Sequence, residues 1–265
     1  MKNTKQFIVT LMLIFCLAIP GVSHADWLWI NASDFSPEAK TVLYFGFGDA
    51  YPVDKTIDRE SIAEYYAVGQ DDEKQQLESN PGGLLATNVS FESPGTYRVA
   101  AALKPGWFLM YRKDGKVIKE FGKPKPAGLE NIIKSLRHEK YAKAVINAGG
   151  ESDDSFKKAV GHNLEIIPLK NPSQVKVGDY LPVRLMFKGK PLASEFVYAT
   201  YTGFTRKLEY AFTVRTDGKG EANIKILHSG PWLIQAEMRI SCEGGEFAGK
   251  CNKLAYFCSL AFSIE

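Results

Sequence analysis

The residues that could do chemistry are few: four histidines, a run of loop aspartates and three cysteines near the C-terminus. His24 and Asp26 stand in "SHADW". If His24 were the first residue of a processed chain, its α-amine and ring Nδ1 would offer two nitrogen donors, and Asp26 could add an oxygen. Both nitrogens must lose their protons to bind, so affinity for a metal would rise with pH. Asp49, Asp54 and Asp58 follow in "GDAYPVDKTID". Loop carboxylates at a strand end can hold a hard cation, although the EF-hand spacing is absent and aspartates also simply build turns. His162 precedes a predicted strand in "VGHNLEIIPL", and His138 and His228 lie elsewhere. No two histidines are spaced as neighbouring ligands, so a site built from His24, Asp26, Asp49 and His162 requires tertiary convergence.

Cys242, Cys251 and Cys258 have eight and then six residues between them, a spacing that matches no zinc motif. Cys242 and Cys251 flank "EGGEFAGK", the connection between the last two predicted strands. A disulfide there closes a short loop and is expected to stabilise by about 2–3 kcal/mol. Cys258 shares its strand face with Leu260 and Phe262, so it is expected to be a buried free thiol. Gly-x-Ser-x-Gly, His-Glu-x-x-His and phosphate-cradling glycine patterns are missing, so no catalytic residue is assigned and no enzyme is expected.

The elements that must position these groups are mostly strands. Lys2, Lys5 and the apolar run from Phe7 to Ile19 read as a secretory signal, too short to span a bilayer. Small residues allow cleavage after Ala25, which discards His24, or after Ser23, which keeps it. The mature chain is expected to be soluble and exported. Its formal charge is +1 once Lys2 and Lys5 are gone, against +3 for the whole chain. With no basic cluster interleaved with aromatics, nucleic acid is not an expected partner.

Residues 26–150 read as a β-rich domain and 151–265 as a second one. "KTVLYFGFG" (40–48) is a predicted strand, residues 58–69 a short helix, and 81–116 a series of strands cut by Pro-Gly and Asp-Gly turns. Leu129, Ile132, Ile133 and Leu136 fall at helical spacing, which predicts one amphipathic helix within 122–140. Beyond residue 180 the alternation is clear. Leu181, Val183, Leu185 and Phe187 share a face, "TDGKG" reads as a hairpin turn, and 231–240 and 254–264 alternate cleanly. About seven short strands predict an immunoglobulin-like sandwich. The fold class is therefore mainly β, two β-sandwich parts with one short helix between strands. Trp27, Trp29, Trp107, Tyr111 and Trp232 fall in strand patterns and are expected to be core.

"LEIIPL", "VKVGD", "GKPLASEFV" and "TDGKGEANI", with "SHADWLWINASDFSP" and "VLYFGFGDAYPVD" near the start, resemble a family of exported bacterial proteins known mainly as a domain of unknown function. That family is often described as a periplasmic component of nickel or cobalt uptake. The resemblance implies a periplasmic protein that binds a nickel- or cobalt-like ion and works beside a membrane transporter component. It also implies a histidine near the mature N-terminus, here His24 one residue out of place, and a histidine where this chain has Asp49. A carboxylate suits harder cations than nickel or cobalt, so any metal site would be weakened. The alternative reading is a non-catalytic structural or interaction module of the envelope. It predicts an exposed apolar patch or open edge strand and no cluster of ligands.

Overall fold

A computed structural model describes residues 26–150, 153–205 and 209–265. The expected leader, with His24, lies outside the described residues. The first half of the chain forms β1 (Trp27–Ala32), β2 (Lys40–Gly48), β3 (Ile62–Val68), β4 (Lys74–Gln76), β5 (Thr87–Ser90), β6 (Gly95–Leu103), β7 (Gly106–Lys113), β8 (Lys116–Phe121) and β9 (Ile132–Ala148). The second half forms β10 (Leu164–Pro168), β11 (Tyr180–Phe187), β12 (Lys190–Pro191), β13 (Phe196–Tyr201), β14 (Phe212–Arg215), β15 (Glu221–Lys225), β16 (Gly230–Ser241) and β17 (Lys253–Ile264).

Two smaller sheets stack on the faces of one long central sheet. Its path runs β14-β13-β16-β17-β9-β6-β3-β4, and the β7–β8 hairpin adds to the first half of β9. Successive side chains of a strand point to opposite faces. Ala142, Ala144, Ile146 and Ala148 of β9, with Ala255 and Phe257 of β17, pack beneath the sheet β1-β2-β5. Val145, Tyr256, Cys258, Leu260 and Phe262 pack on the other face against β10, β11 and β15. Strands β9 and β17 pair in parallel, Cys258 opposite Tyr141, so both halves of the chain contribute to one sheet. The expected boundary near residue 150 falls in the connection between β9 and β10.

In the second half, β10-β11-β15 faces β14-β13-β16-β17. That is the strand order of an immunoglobulin-like sandwich. The alternation reads correctly here, since Leu181, Val183 and Leu185 are all fully buried. One detail differs. "TDGKG" does not close a hairpin, because β14 pairs with β13 and β15 pairs with β11. The Asp217 carboxylate instead accepts the Lys219 and Glu221 amides and turns the chain from one sheet to the other.

The amphipathic helix expected within 122–140 is absent, and residues 132–148 form the 17-residue strand β9. The register against β7 slips between Met110 and Tyr111, leaving Ile133 as an extra residue. That bulge puts apolar residues at 132, 133 and 136, which mimics helical spacing. The helix expected at 58–69 reduces to one 3₁₀ turn, Arg59–Ser61. Beyond it Tyr65, Tyr66 and Val68, good strand formers, pair with β6 as part of β3.

Candidate functional site

Asp26 enters β1 at the rim of the first core. Its carboxylate meets Lys55 Nζ at 2.5 Å. Its backbone carbonyl accepts a hydrogen bond from Lys140 of β9. Lys140 is 5% exposed, with its ammonium 4.6 Å from the centre of the Phe47 ring and 5.8 Å from that of Phe257. Burial pulls its pKa down to about 8, while Asp26 and Asp49 pull the other way. Lys55 is shifted up, first by its hydrogen bond to Asp26. Asp49 follows β2 and lies within electrostatic reach of Lys55, Lys140 and Tyr210. Asp26 and Asp49 therefore share a neighbourhood with two ammonium groups set among them.

The loop after β2 is built by its own residues. Asp54 accepts the Asp49 amide at 2.8 Å, so this carboxylate closes a turn. The Trp29 indole donates to the Pro52 carbonyl at 2.8 Å and lies over Gly46. A Cβ at residue 46 would stand 1.8 Å from the indole nitrogen, so only glycine permits this packing. Asp58 caps the 3₁₀ turn by position and makes no side-chain capping bond.

His162 lies elsewhere. It is 8% exposed and stacks on Tyr141 at 4.7 Å between ring centres. Tyr141 and Lys140 are consecutive in β9, so their side chains leave opposite faces of the sheet. The convergence of His162 with Asp26 and Asp49 is not formed. Burial lowers the His162 pKa to about 4 and keeps the ring neutral. His138, expected in a helix, is a half-buried residue of β9 with a pKa lowered to about 4, first by desolvation and then by Lys140 and Arg137. His228 stacks on Tyr201 at 4.9 Å. Among the described residues no three His, Cys, Asp or Glu side chains group as metal ligands.

Beside His162 is an ion pair that the sequence did not flag. Lys143 and Glu165 meet at 2.6 Å with side chains 1% and 3% exposed. Glu165 also accepts the amides of Val160 at 2.9 Å and Gly161 at 3.2 Å. Burial alone would raise the Glu165 pKa, but Lys143 and those amides outweigh it and hold the carboxyl below its ordinary range. The pair ties β9 to β10 and to the segment that joins them.

The cysteines behave as expected. Cys242 and Cys251 form a disulfide, and Cys258 is free and buried. Phe247 of the closed loop packs edge-on against Trp107 at 5.9 Å and lies under the Arg137 guanidinium at 4.2 Å. Trp27, Trp29 and Trp232 are buried, whereas Trp107 and Tyr111 are only half-buried. No helix among the described residues is long and apolar enough to cross a membrane.

An immunoglobulin-like sandwich sharing its sheet with a second β core, its charged residues bound into the fold, defines a mainly β protein of the two-core sandwich class. The chain belongs to the family described as Domain of unknown function (DUF4198), whose family model matches residues 23–240. No curated protein matches it. Among solved structures, the chain is similar to the D0-D1 domain of Intimin, at 15% identity and a TM-score of 0.21, over 89% of this chain and 97% of that one. It is also similar to FdeC, described as a broadly conserved Escherichia coli adhesin, at 12% identity and a TM-score of 0.21, over 88% of this chain and 62% of that one. A third is an alpha-2-macroglobulin fragment from Escherichia coli spanning domains MG0-NIE-MG1, at 11% identity and a TM-score of 0.21, over 86% of this chain and 96% of that one. Likenesses this remote carry no argument about function.

Proposed function

We propose that this protein is a non-catalytic interaction module of the bacterial envelope, acting in the periplasm after removal of its leader. One observation carries the reading: an apolar patch at one end of the immunoglobulin-like sandwich. Val177 is 51% exposed, Tyr180 54%, Leu227 47% and Phe204 40%. They sit on adjoining turns. The Gly178 amide donates to the Ile226 carbonyl, and Phe204 reaches the Tyr201–His228 stack, 5.4 Å from the Tyr201 ring. Clustered exposed apolar side chains on a rigid sandwich mark a contact surface for another protein. The disulfide fits an oxidising compartment.

The transition-metal reading has less support. Nickel or cobalt would be cargo here, and the expected ligands that share a neighbourhood are Asp26 and Asp49. A cation there would have to displace Lys55 from Asp26, and it would find no imidazole from His162 on that side of the sheet.

A photo-crosslinker at Leu227 of the exported protein tests the proposal in envelope preparations, alongside calorimetry with Ni²⁺ and Co²⁺. A discrete crosslinked protein that disappears with Tyr180→Asp supports it. Saturable metal binding without any such crosslink overturns it and restores the uptake reading.

A further inference from the structure

We propose that the β7–β8 hairpin docks the protein onto an anionic lipid surface. The hairpin is a sparsely covered part of the central sheet. Strand β8 pairs with β7 alone, and β7 pairs only with the first residues of β9. Phe121, at 71%, has the highest exposure of the large hydrophobic side chains that stand out from the described surface, and Val117 is 49% exposed.

Charge is concentrated in the same place. Residues 112–125 hold six Lys or Arg and two acids, a net +4, whereas the whole chain is only +3. None of Arg112, Lys113, Lys116, Lys119, Lys123 and Lys125 makes an ion pair among the described residues. Directly opposed residues of an antiparallel pair share a face. The pairs Phe108–Phe121, Met110–Lys119 and Arg112–Val117 therefore line one face, where Lys134 of β9, opposite Met110, joins them. Cations and apolar side chains alternate on that face of the hairpin with no acid of β7 or β8 among them, and Glu237 of β16, within electrostatic reach of Lys134, marks its inner border. The one acid within β8, Glu120, points to the other face and takes the Tyr111 hydroxyl at 2.9 Å.

That other face is pinned. Phe247 of the disulfide loop packs on Trp107, and the Lys125 amide donates to the Lys250 carbonyl. The hairpin is thus a braced platform with one open face.

Charge complementarity selects the occupant. Lysine stems can lie along an apolar boundary with their heads at phosphate level, and an aromatic ring between them can enter the headgroup region. Basic residues near an anionic leaflet add to this attraction. An extended peptide added to the edge of β8 is the competing occupant. Lysines on an edge strand discourage such pairing.

The test is flotation of the whole processed protein with phosphatidylcholine vesicles and with vesicles that also contain phosphatidylglycerol. The expected result is binding to the anionic vesicles alone, weakening as salt is raised. Arg112→Glu with Lys119→Glu, both on the open face, should lower partitioning by about tenfold or more. Phe121→Ser should lower it several-fold without changing the melting temperature. No binding to either vesicle overturns the proposal, as does equal binding to both, or binding unchanged by charge reversal. Capture of a poly-glutamate peptide without vesicle binding also overturns it, in favour of strand addition.

Discussion

Replacing Lys143 by methionine should unfold this protein more readily than any surface change, with a dependence on pH that identifies the cause. The pair Lys143–Glu165 is 2.6 Å long and almost fully buried at both ends. K143M leaves a carboxylate in the interior with only the Val160 and Gly161 amides to answer it. Breaking a buried pair on one side costs about 3–5 kcal/mol. That is a large share of the roughly 5–15 kcal/mol that holds a domain folded. It corresponds to a fall in melting temperature of roughly 6–20 °C for a chain of this size. The double variant K143M/E165L removes both charges and fills the space with apolar atoms. It orphans two amides but strands no charge, so it should be more stable than K143M alone.

The sign with pH follows from the lowered Glu165 pKa. In the wild type its contribution is complete above the ordinary carboxyl pKa, about 4.3, and is lost as pH falls through the lower folded value. In K143M only the amides still hold the carboxyl down, and burial, the largest influence on it, should raise its pKa above the unfolded value. The penalty should then be largest at neutral pH and shrink as acid neutralises Glu165. Urea titrations followed by tryptophan fluorescence at pH 7.5 and pH 5 measure the gap. A gap below about 1 kcal/mol, the range of an exposed pair, would refute the reasoning, as would one that does not narrow at pH 5.

Three further outcomes follow from the disulfide and the buried titratable groups. Cys242→Ser with Cys251→Ser should cost about 2–3 kcal/mol and loosen Phe247 from Trp107, visible as changed tryptophan emission. Cys258 should meanwhile resist a thiol reagent until the protein unfolds, since it is 2% exposed and burial raises its pKa. His138 and His162, both lowered to about 4, bind fewer protons folded than unfolded. Stability should therefore be complete above the ordinary histidine pKa and fall by roughly 1.4 kcal/mol per pH unit for each ring as pH drops from 6.5 toward 4. His162→Phe should remove one ring's share of that slope in denaturation curves collected across this range.

The C-terminal sandwich was legible because several of its strands, β11, β13 and β15 among them, bury one face more than the other. Leu181, Val183 and Leu185 alternate with Pro182, Arg184 and Met186, and that period of two is visible in the letters. The disulfide was legible for the same reason, once the strands flanking Cys242 and Cys251 were placed. The pairing of strands into sheets was less visible. "TDGKG" has hairpin chemistry, yet its arms belong to different sheets, because turn residues set a local bend and the partners are chosen by distant strands. The basic run from Arg112 to Lys125 is visible in the letters. Its meaning lies in Phe121 and Lys119 sharing an open face, which needs the register of β7 against β8.

The candidate site turns on β9. A strand covered on both sides loses the alternation of apolar and polar letters, because each face has a core of its own. From residue 141 to 148 β9 reads YAKAVINA, with Ala142, Ala144, Ile146 and Ala148 serving the first core and Val145 the second. Its exposed start carries a bulge that imitates a helix turn. Read as a helix followed by a strand, the segment gives no reason to separate the neighbours of Lys140 from those of Tyr141. Read as one continuous strand, it separates them by parity alone. Lys140 takes the Asp26 carbonyl on one face, and Tyr141 stacks on His162 on the other. Asp26 and His162 could then share a ligand only if one of them left its face of the sheet. The arrangement that excludes their convergence is the one that joins the two cores: a single strand, buried on both sides, with a charged anchor toward each.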